Sequence, residues 1–236
     1  MEDKEQALDN LWNTICPSME SDTKPVIDIE QRDGRNLYLV GEIHGAMAPL
    51  YHIQHEIIPK MRRNPSNWLI VREGLNAYRD LDEATLIKRL PHVLYFHKVP
   101  DILGIPSADP IGSIFDRETQ DKVAQGSSLS LDQIRGWCIA SVIQANGDDV
   151  RNSRELDAII LEKLGVNVDE ATRAIRFCYD PEAHTRLMTG WNACARKEMD
   201  KVLQSHPNRP EVLISCGIAH LPAFSDKHTY IGQREW

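Results

Sequence analysis

The chain is poor in the features that mark several large functional classes. Its five cysteines (Cys16, Cys138, Cys178, Cys194 and Cys216) are odd in number and widely spread. No Cys-x-x-Cys pair occurs, which argues against a disulfide frame or a cysteine zinc site and for free thiols in a reducing compartment. Basic residues number 27 against 35 acidic, a net charge of −8. Aromatic residues make up 6% of the chain, and no basic run is interleaved with rings. A nucleic-acid partner therefore has little electrostatic or stacking support. No run approaches the ~18 consecutive apolar residues of a membrane span, and Met1 to Asp9 is polar with no apolar core. The expectation is a cytoplasmic protein without a membrane partner, although secretion by a route that needs no such segment would leave the same sequence. There is no Walker loop, no Gly-x-Gly-x-x-Gly, no His-Glu-x-x-His and no serine or cysteine in a nucleophile elbow. Nucleotide, thermolysin-like and covalent chemistries are demoted accordingly.

What is present is a strand that stops at chemistry. Leu37 to Val40 are four apolar residues that read as a buried strand of a parallel sheet, and Gly41-Glu42-Ile43-His44-Gly45 follows. If the backbone stays extended, a period of two puts Glu42 and His44 on one side and Ile43 on the other. The carboxyl end of a strand is where open α/β sheets bind ligands. A lone Glu-x-His is common, but Val212 to Ser215 run apolar and end in a second copy of the pattern, Gly217-Ile218-Ala219-His220. Between them, Trp68 to Val71 form another apolar run that ends in Arg72-Glu73-Gly74, which gives Glu73 the same place after its strand as Glu42 has after the first.

The remaining elements follow from periodicity and breakers. Residues 3 to 15 carry Leu8, Leu11, Trp12 and Ile15 at helical spacing, stopped by Cys16-Pro17. Asp33-Gly34-Arg35 is a hairpin signal between Val26–Glu30 and Leu37–Val40. Pro49 to Met61 reads as a crossover helix carrying His52 and His55, ordinary helix residues by default; His52 reaches the strand ends only if the preceding loop folds back. Leu81 to Leu94 reads as one helix, and Asp101 to Pro106 as a short third strand ending near Asp109. That acid is either a partner for a catalytic histidine or part of an Asp-Pro turn. From about residue 115 to 206 the chain reads helical. Ser130 and Gln133 form a capping box for a helix through Ala145, further helices are expected over 150–164 and 169–177, and Asp180-Pro181-Glu182 opens a long helix through Gln204. Thr229 to Ile231 is read as a short closing strand. At 236 residues this is expected to be a single α/β domain, a mostly parallel central sheet flanked by helices, with a helical insertion at about 115–206 before the last core strand.

If the strand ends converge, Glu42, His44, Glu73 and His220 form one acid-rich crest, with Asp109 and His52 as secondary candidates. Two chemistries suit such a group. A divalent metal held by His44, His220 and Glu42 or Glu73 would lower the pKa of a bound water. Without a metal, a histidine oriented by a carboxylate takes a proton from water while an arginine stabilises the oxyanion. Arg154 and Arg196 are the arginine candidates from the helical region, each with the plain alternative of a solvated helix residue.

With these residues in view, the chain resembles the erythromycin esterase, TraB/Tiki and ChaN-like haem-uptake superfamily. The resemblance rests on Gly41-Glu42-Ile43-His44-Gly45, Glu73, a helix arginine and Gly217-Ile218-Ala219-His220-Leu221-Pro222, in that order over about residues 36 to 224. It implies an α/β sheet with a helical insertion and a pocket lined by His44, Glu73, Arg154 or Arg196, and His220, with Glu42 beside them. Members of that superfamily either hydrolyse ester or amide bonds, in some cases with a proposed metal, or bind haem. No secretion signal or membrane anchor of the haem-uptake and Tiki-like branches is expected from these residues, and the helical region is shorter than that of the macrolide esterases, so a macrolide substrate is not implied.

The expectation is therefore a hydrolase of a small-molecule or peptide substrate, with a divalent metal ahead of haem as a cofactor. The alternatives are a non-catalytic haem- or metal-binding protein of the ChaN-like type and a degenerate effector or toxin-like module.

Overall fold

A computed structural model describes residues 4–18, 26–42, 47–73, 81–114, 116–145 and 181–228. Its sheet starts from a hairpin. Strands β1 (Val26–Arg32) and β2 (Arg35–Glu42) pair antiparallel in a register that sets Arg32 opposite Arg35. The two loop residues, Asp33 and Gly34, have φ of 51° and 75°. Positive φ at both positions is what a tight two-residue hairpin requires, and an Asp-Gly pair supplies it at low steric cost.

Three further strands complete the sheet: β3 (Trp68–Arg72), β4 (Ser107–Ala108) and β5 (Glu211–Gly217). The order is β1-β2-β5-β3-β4, so the last strand in the chain lies between β2 and β3. Every pairing except β1 with β2 is parallel. All five residues of β3 are buried, as are Val212 to Gly217 of β5, which explains why these strands read as unbroken apolar runs rather than alternating ones. The result is an α/β fold with a five-stranded, mostly parallel sheet.

Helix α1 (Lys4–Ile15) buries Leu8 and Ile15. These pack with Val40, Trp68, Ile70 and Leu213 of the sheet and with residues of the helices that follow β2 and β3. The crossover after β2 is α2 (Met47–His52), a π-helical turn at Ile53–Ile57, and α3 (Ile58–Arg63). Pro59 has no amide to offer the carbonyl four residues back, and its ring crowds that carbonyl, which accounts for the widened turn just ahead of it.

Two expectations need correction here. The helix expected over Leu81 to Leu94 is two helices, α4 (Glu83–Arg89) and α5 (Pro91–Leu103). Leu90 takes φ −140° and ψ 55° between them, and Pro91 begins the second helix, where a missing amide costs nothing. The strand expected over Asp101 to Pro106 is instead the end of α5, stopped by Gly104 in the left-handed conformation at φ 70°. The strand that exists, β4, starts one residue after Pro106 and pairs Ser107 and Ala108 with Ile70 and Val71.

The chain divides into two compact units, one within Met1–Gly112 and Arg196–Thr229 and the other within Ser113–Ala195 and Tyr230–Trp236. The first contains the sheet. The elements described in the second are helices: α6 (Arg117–Gly126), α7 (Leu131–Ala145) and the first part of α8 (Pro181–Ser205). The capping box that opens α7 forms both of its bonds. Ser130 Oγ accepts from the Gln133 amide at 3.2 Å, and Gln133 Oε1 accepts from the Ser130 amide at 2.9 Å. A Cβ on Gly190 of α8 would lie 2.4 Å from Ser127 Cβ, so α8 approaches the end of α6 more closely than alanine allows. The helices expected over 150–164 and 169–177 and the closing strand at 229–231 lie outside the described residues. No helix among the described residues is long and apolar enough to cross a membrane.

Candidate functional site

The site follows from the placement of β5. Because β5 separates β2 from β3, whatever follows β3 and whatever follows β5 meet side by side. Arg72, the last residue of β3, pairs in register with Ser215, and Glu42, the last of β2, pairs with Gly217. The Ser215 carbonyl accepts from the Glu73 amide at 3.1 Å and from the Arg72 guanidinium at 3.3 Å. Both residues after Val71 are thus tied to β5 as the strand ends.

Glu73 then reaches over the end of β5. One carboxylate oxygen, Oε2, accepts the Gly217 amide at 2.7 Å, and the other, Oε1, lies 3.4 Å from His220 Nε2. The Glu73 and His220 side chains retain only 10% and 5% of their exposure, so the pair is largely removed from water. That distance is long for a well-formed hydrogen bond and short enough for an ion pair when the imidazole is protonated. The backbone bond to Gly217 holds the carboxylate on one side while the other oxygen faces the ring.

His220 is delivered by a tight turn. After Gly217 the chain makes one 3-10 turn, Ile218–His220, and then the short helix α9 (Leu221–Phe224), whose second residue is Pro222. Gly41 of β2 is the floor of this turn. A Cβ there would lie 2.6 Å from Leu221 Cδ1 and 3.0 Å from Ile218 Cγ1. The glycine of the first motif therefore serves the second by letting the turn that carries His220 settle on the sheet.

Arg196, on α8, braces the same turn from beyond it. Its Nε donates to the Ala223 carbonyl at 3.1 Å, and one terminal nitrogen donates to the Pro222 carbonyl and to Asp226 Oδ1, each at 2.8 Å. These are carbonyls at the end of α9, where a cation is favourable because they lack amide partners. The partners of Arg196 are thus the helix that follows His220 and Asp226, not His220 or Glu73.

Asp109 Oδ1 accepts the Gly112 amide at 2.7 Å, a side-chain bond to the backbone three residues on that closes the turn after β4. His52 ends α2 half-buried, its imidazole held below the ordinary range by burial, with an opposing pull from Glu56 and a further push from Lys60. Glu42 is described through its backbone pairing alone. His44 and Arg154 lie outside the described residues. Among the described residues no third histidine, cysteine or carboxylate joins Glu73 and His220 closely enough to complete a metal set. A metal at this place would need a further ligand, for which His44 and Glu42 are the sequence candidates.

Arg72 was not singled out by its sequence context. It is buried to 2% exposure, and its guanidinium lies 4.8 Å from the centre of the Phe96 ring of α5. An arginine closing an otherwise apolar strand, one residue before a candidate acid, was the available signal. Compared with known protein families, curated proteins and solved structures, the chain shows no match.

Proposed function

We propose that the protein is a hydrolase that directs water at an ester or amide bond, with Glu73 and His220 as one acid–base unit of the site. The observation that carries this reading is the buried carboxylate–imidazole pair at adjacent strand ends, with Oε1 of Glu73 3.4 Å from Nε2 of His220. A carboxylate so placed orients the ring and stabilises the imidazolium that forms when the ring takes a proton. In this reading His44, assisted by Glu42, activates the water, and His220 protonates the leaving group. Arg154 is the candidate for stabilising the oxyanion, since Arg196 already braces α9. The order of motifs, which resembles that of the erythromycin esterase, TraB/Tiki and ChaN-like superfamily, supports the same assignment, and a divalent metal on His44 and His220 is its metal-assisted form.

The test is turnover of a panel of small esters and amides by the wild type, by His44→Ala and by His220→Ala, each with and without a chelator. The proposal expects hydrolysis of at least one substrate class and a fall of about 100-fold or more in either variant. Sensitivity to the chelator would select the metal-assisted form. Undiminished turnover in both variants would overturn the assignment.

A further inference from the structure

A second group of metal-ligating side chains lies on the opposite edge of the same unit, away from β3. Strand β1 is the edge of the sheet, and its residues alternate between half-buried and exposed, with Asp28 and Glu30 on the half-buried face. The segment that follows α9 returns to this face. There His228 Nε2 lies 3.7 Å from Asp28 Oδ2, and one ligand atom from each of Asp28, Glu30 and His228 falls within 4.8 Å of the others.

From this arrangement we infer that Asp28, Glu30 and His228 form a binding site for a divalent transition-metal cation of the zinc type. Three features favour a cation over a mere acidic edge. First, the set includes an imidazole, a ligand that suits zinc rather than calcium or magnesium. Second, Asp28 and Glu30 are neighbours on one strand but His228 comes from the far end of the chain and meets them only in the fold, so the set is not a local run of acidic residues. Third, the carboxylates are already partly organised. Ser225, 2% exposed, donates its hydroxyl to Glu30 Oε1 and accepts the Lys227 amide at 3.1 Å, while Asp28 Oδ1 accepts the Ile29 amide at 2.8 Å. Such bonds to ligating carboxylates fix their orientation.

The geometry needs only a small adjustment. Zinc bonds of about 2.0–2.2 Å to nitrogen and oxygen place tetrahedral ligand atoms roughly 3.3–3.6 Å apart. The His228–Asp28 pair is at 3.7 Å, close to this spacing, and no pair of the three ligand atoms is more than 4.8 Å apart. Three protein ligands leave the fourth position to water. The competitor is Lys227, whose ammonium lies 3.4 Å from Asp28 Oδ2 and 3.7 Å from Glu30 Oε1. Its side chain is 61% exposed, so it is a weakly held counter-ion that the metal displaces.

The experiment uses the full chain stripped with a chelator and titrated with zinc chloride by calorimetry, in parallel with thermal unfolding. Asp28→Asn and His228→Gln should each weaken zinc binding by more than about tenfold. Lys227→Gln should tighten it by about twofold to fivefold by removing the competing ammonium. Zinc should raise the melting temperature of the wild type and leave that of His228→Gln unchanged. The His44→Ala/His220→Ala double variant should keep one zinc, which separates this site from any metal at the strand ends. The assignment is overturned if stripped protein takes up no zinc. It is equally overturned if the zinc it binds is lost in the His44→Ala/His220→Ala variant and unaffected by Asp28→Asn and His228→Gln.

Discussion

Glu73 holds two positions at once: it accepts the Gly217 amide at 2.7 Å through one oxygen and stands 3.4 Å from His220 Nε2 with the other. The two roles can be separated by substitution. In Glu73→Gln the amide oxygen still accepts the Gly217 N–H, so stability should change by less than about 1 kcal/mol while the charge beside His220 is gone. In Glu73→Ala the buried Gly217 amide is left without its acceptor, a cost of about 1–3 kcal/mol. Urea unfolding of the two variants beside the wild type checks this. Equal losses in both would mean that the carboxylate charge, rather than the bond to Gly217, stabilises the strand ends.

Gly41 is expected to be intolerant of any side chain. Alanine there meets Leu221 Cδ1 at 2.6 Å and Ile218 Cγ1 at 3.0 Å, and Leu221 is itself buried at 2% exposure. Gly41→Ala should cost about 1–3 kcal/mol by overpacking and should shift the turn that carries His220. Hydrolytic activity should fall with it although no ionisable group has been touched. Stability at the wild-type level in thermal unfolding would contradict the close approach of β2 to the turn.

Arg196 is expected to behave as a brace. Arg196→Ala removes its bonds to the Pro222 and Ala223 carbonyls. The Asp226 partner is 89% exposed, so that ion pair adds little. The expected loss is about 1–2 kcal/mol, measured by chemical denaturation, with Arg196→Lys recovering only part of it because a lysine cannot reach two carbonyls in a fork. A fall in turnover with no loss of stability would instead place Arg196 in the reaction.

The fold was legible wherever a local signal decides the structure. Asp33-Gly34 dictated its hairpin and Ser130 and Gln133 their capping box, through dihedral limits or bonds that act within a few residues, and α8 begins at Pro181, where a proline opens a helix at no cost. Misreadings came where two structures satisfy the same local pattern. Ile102, Leu103 and Ile105 are as apolar as a short strand, but Leu103 closes the helical stripe begun by Phe96 and Val99, and Gly104 ends it. At the site, Glu73 and His220 were readable as strand-end residues, since an apolar run followed by a polar break marks the end of a buried strand. That β5 lies between β2 and β3 was not readable, because strand order is fixed by long-range packing that no segment records. The carbonyl partners of Arg196 and the burial of Arg72 depend on that same order.

The second unit contains a pH-sensitive group. His184, near the start of α8, is 6% exposed and lies 5.6 Å from Trp137 between ring centres, and burial holds its imidazole below the ordinary range. The unfolded chain therefore takes up this proton at a higher pH than the folded chain does. Stability tracks the difference in bound protons: it is unaffected well above about pH 6.5, and it falls as the pH drops from there toward the lower folded value. His184→Gln should flatten this part of the profile in denaturant unfolding between pH 8 and 5. An unchanged slope would contradict the burial of a neutral imidazole.

The measurement that bears most directly on the central claim is a double-mutant cycle in kcat/KM with Glu73→Gln, His220→Gln and the combined variant, on whichever ester or amide the wild type hydrolyses. Residues that act as one unit lose their effect together. The account predicts that each single variant falls by about 100-fold or more and that the double variant is no worse than the poorer single one. Losses that simply multiply, or activity unchanged in either single variant, would contradict it.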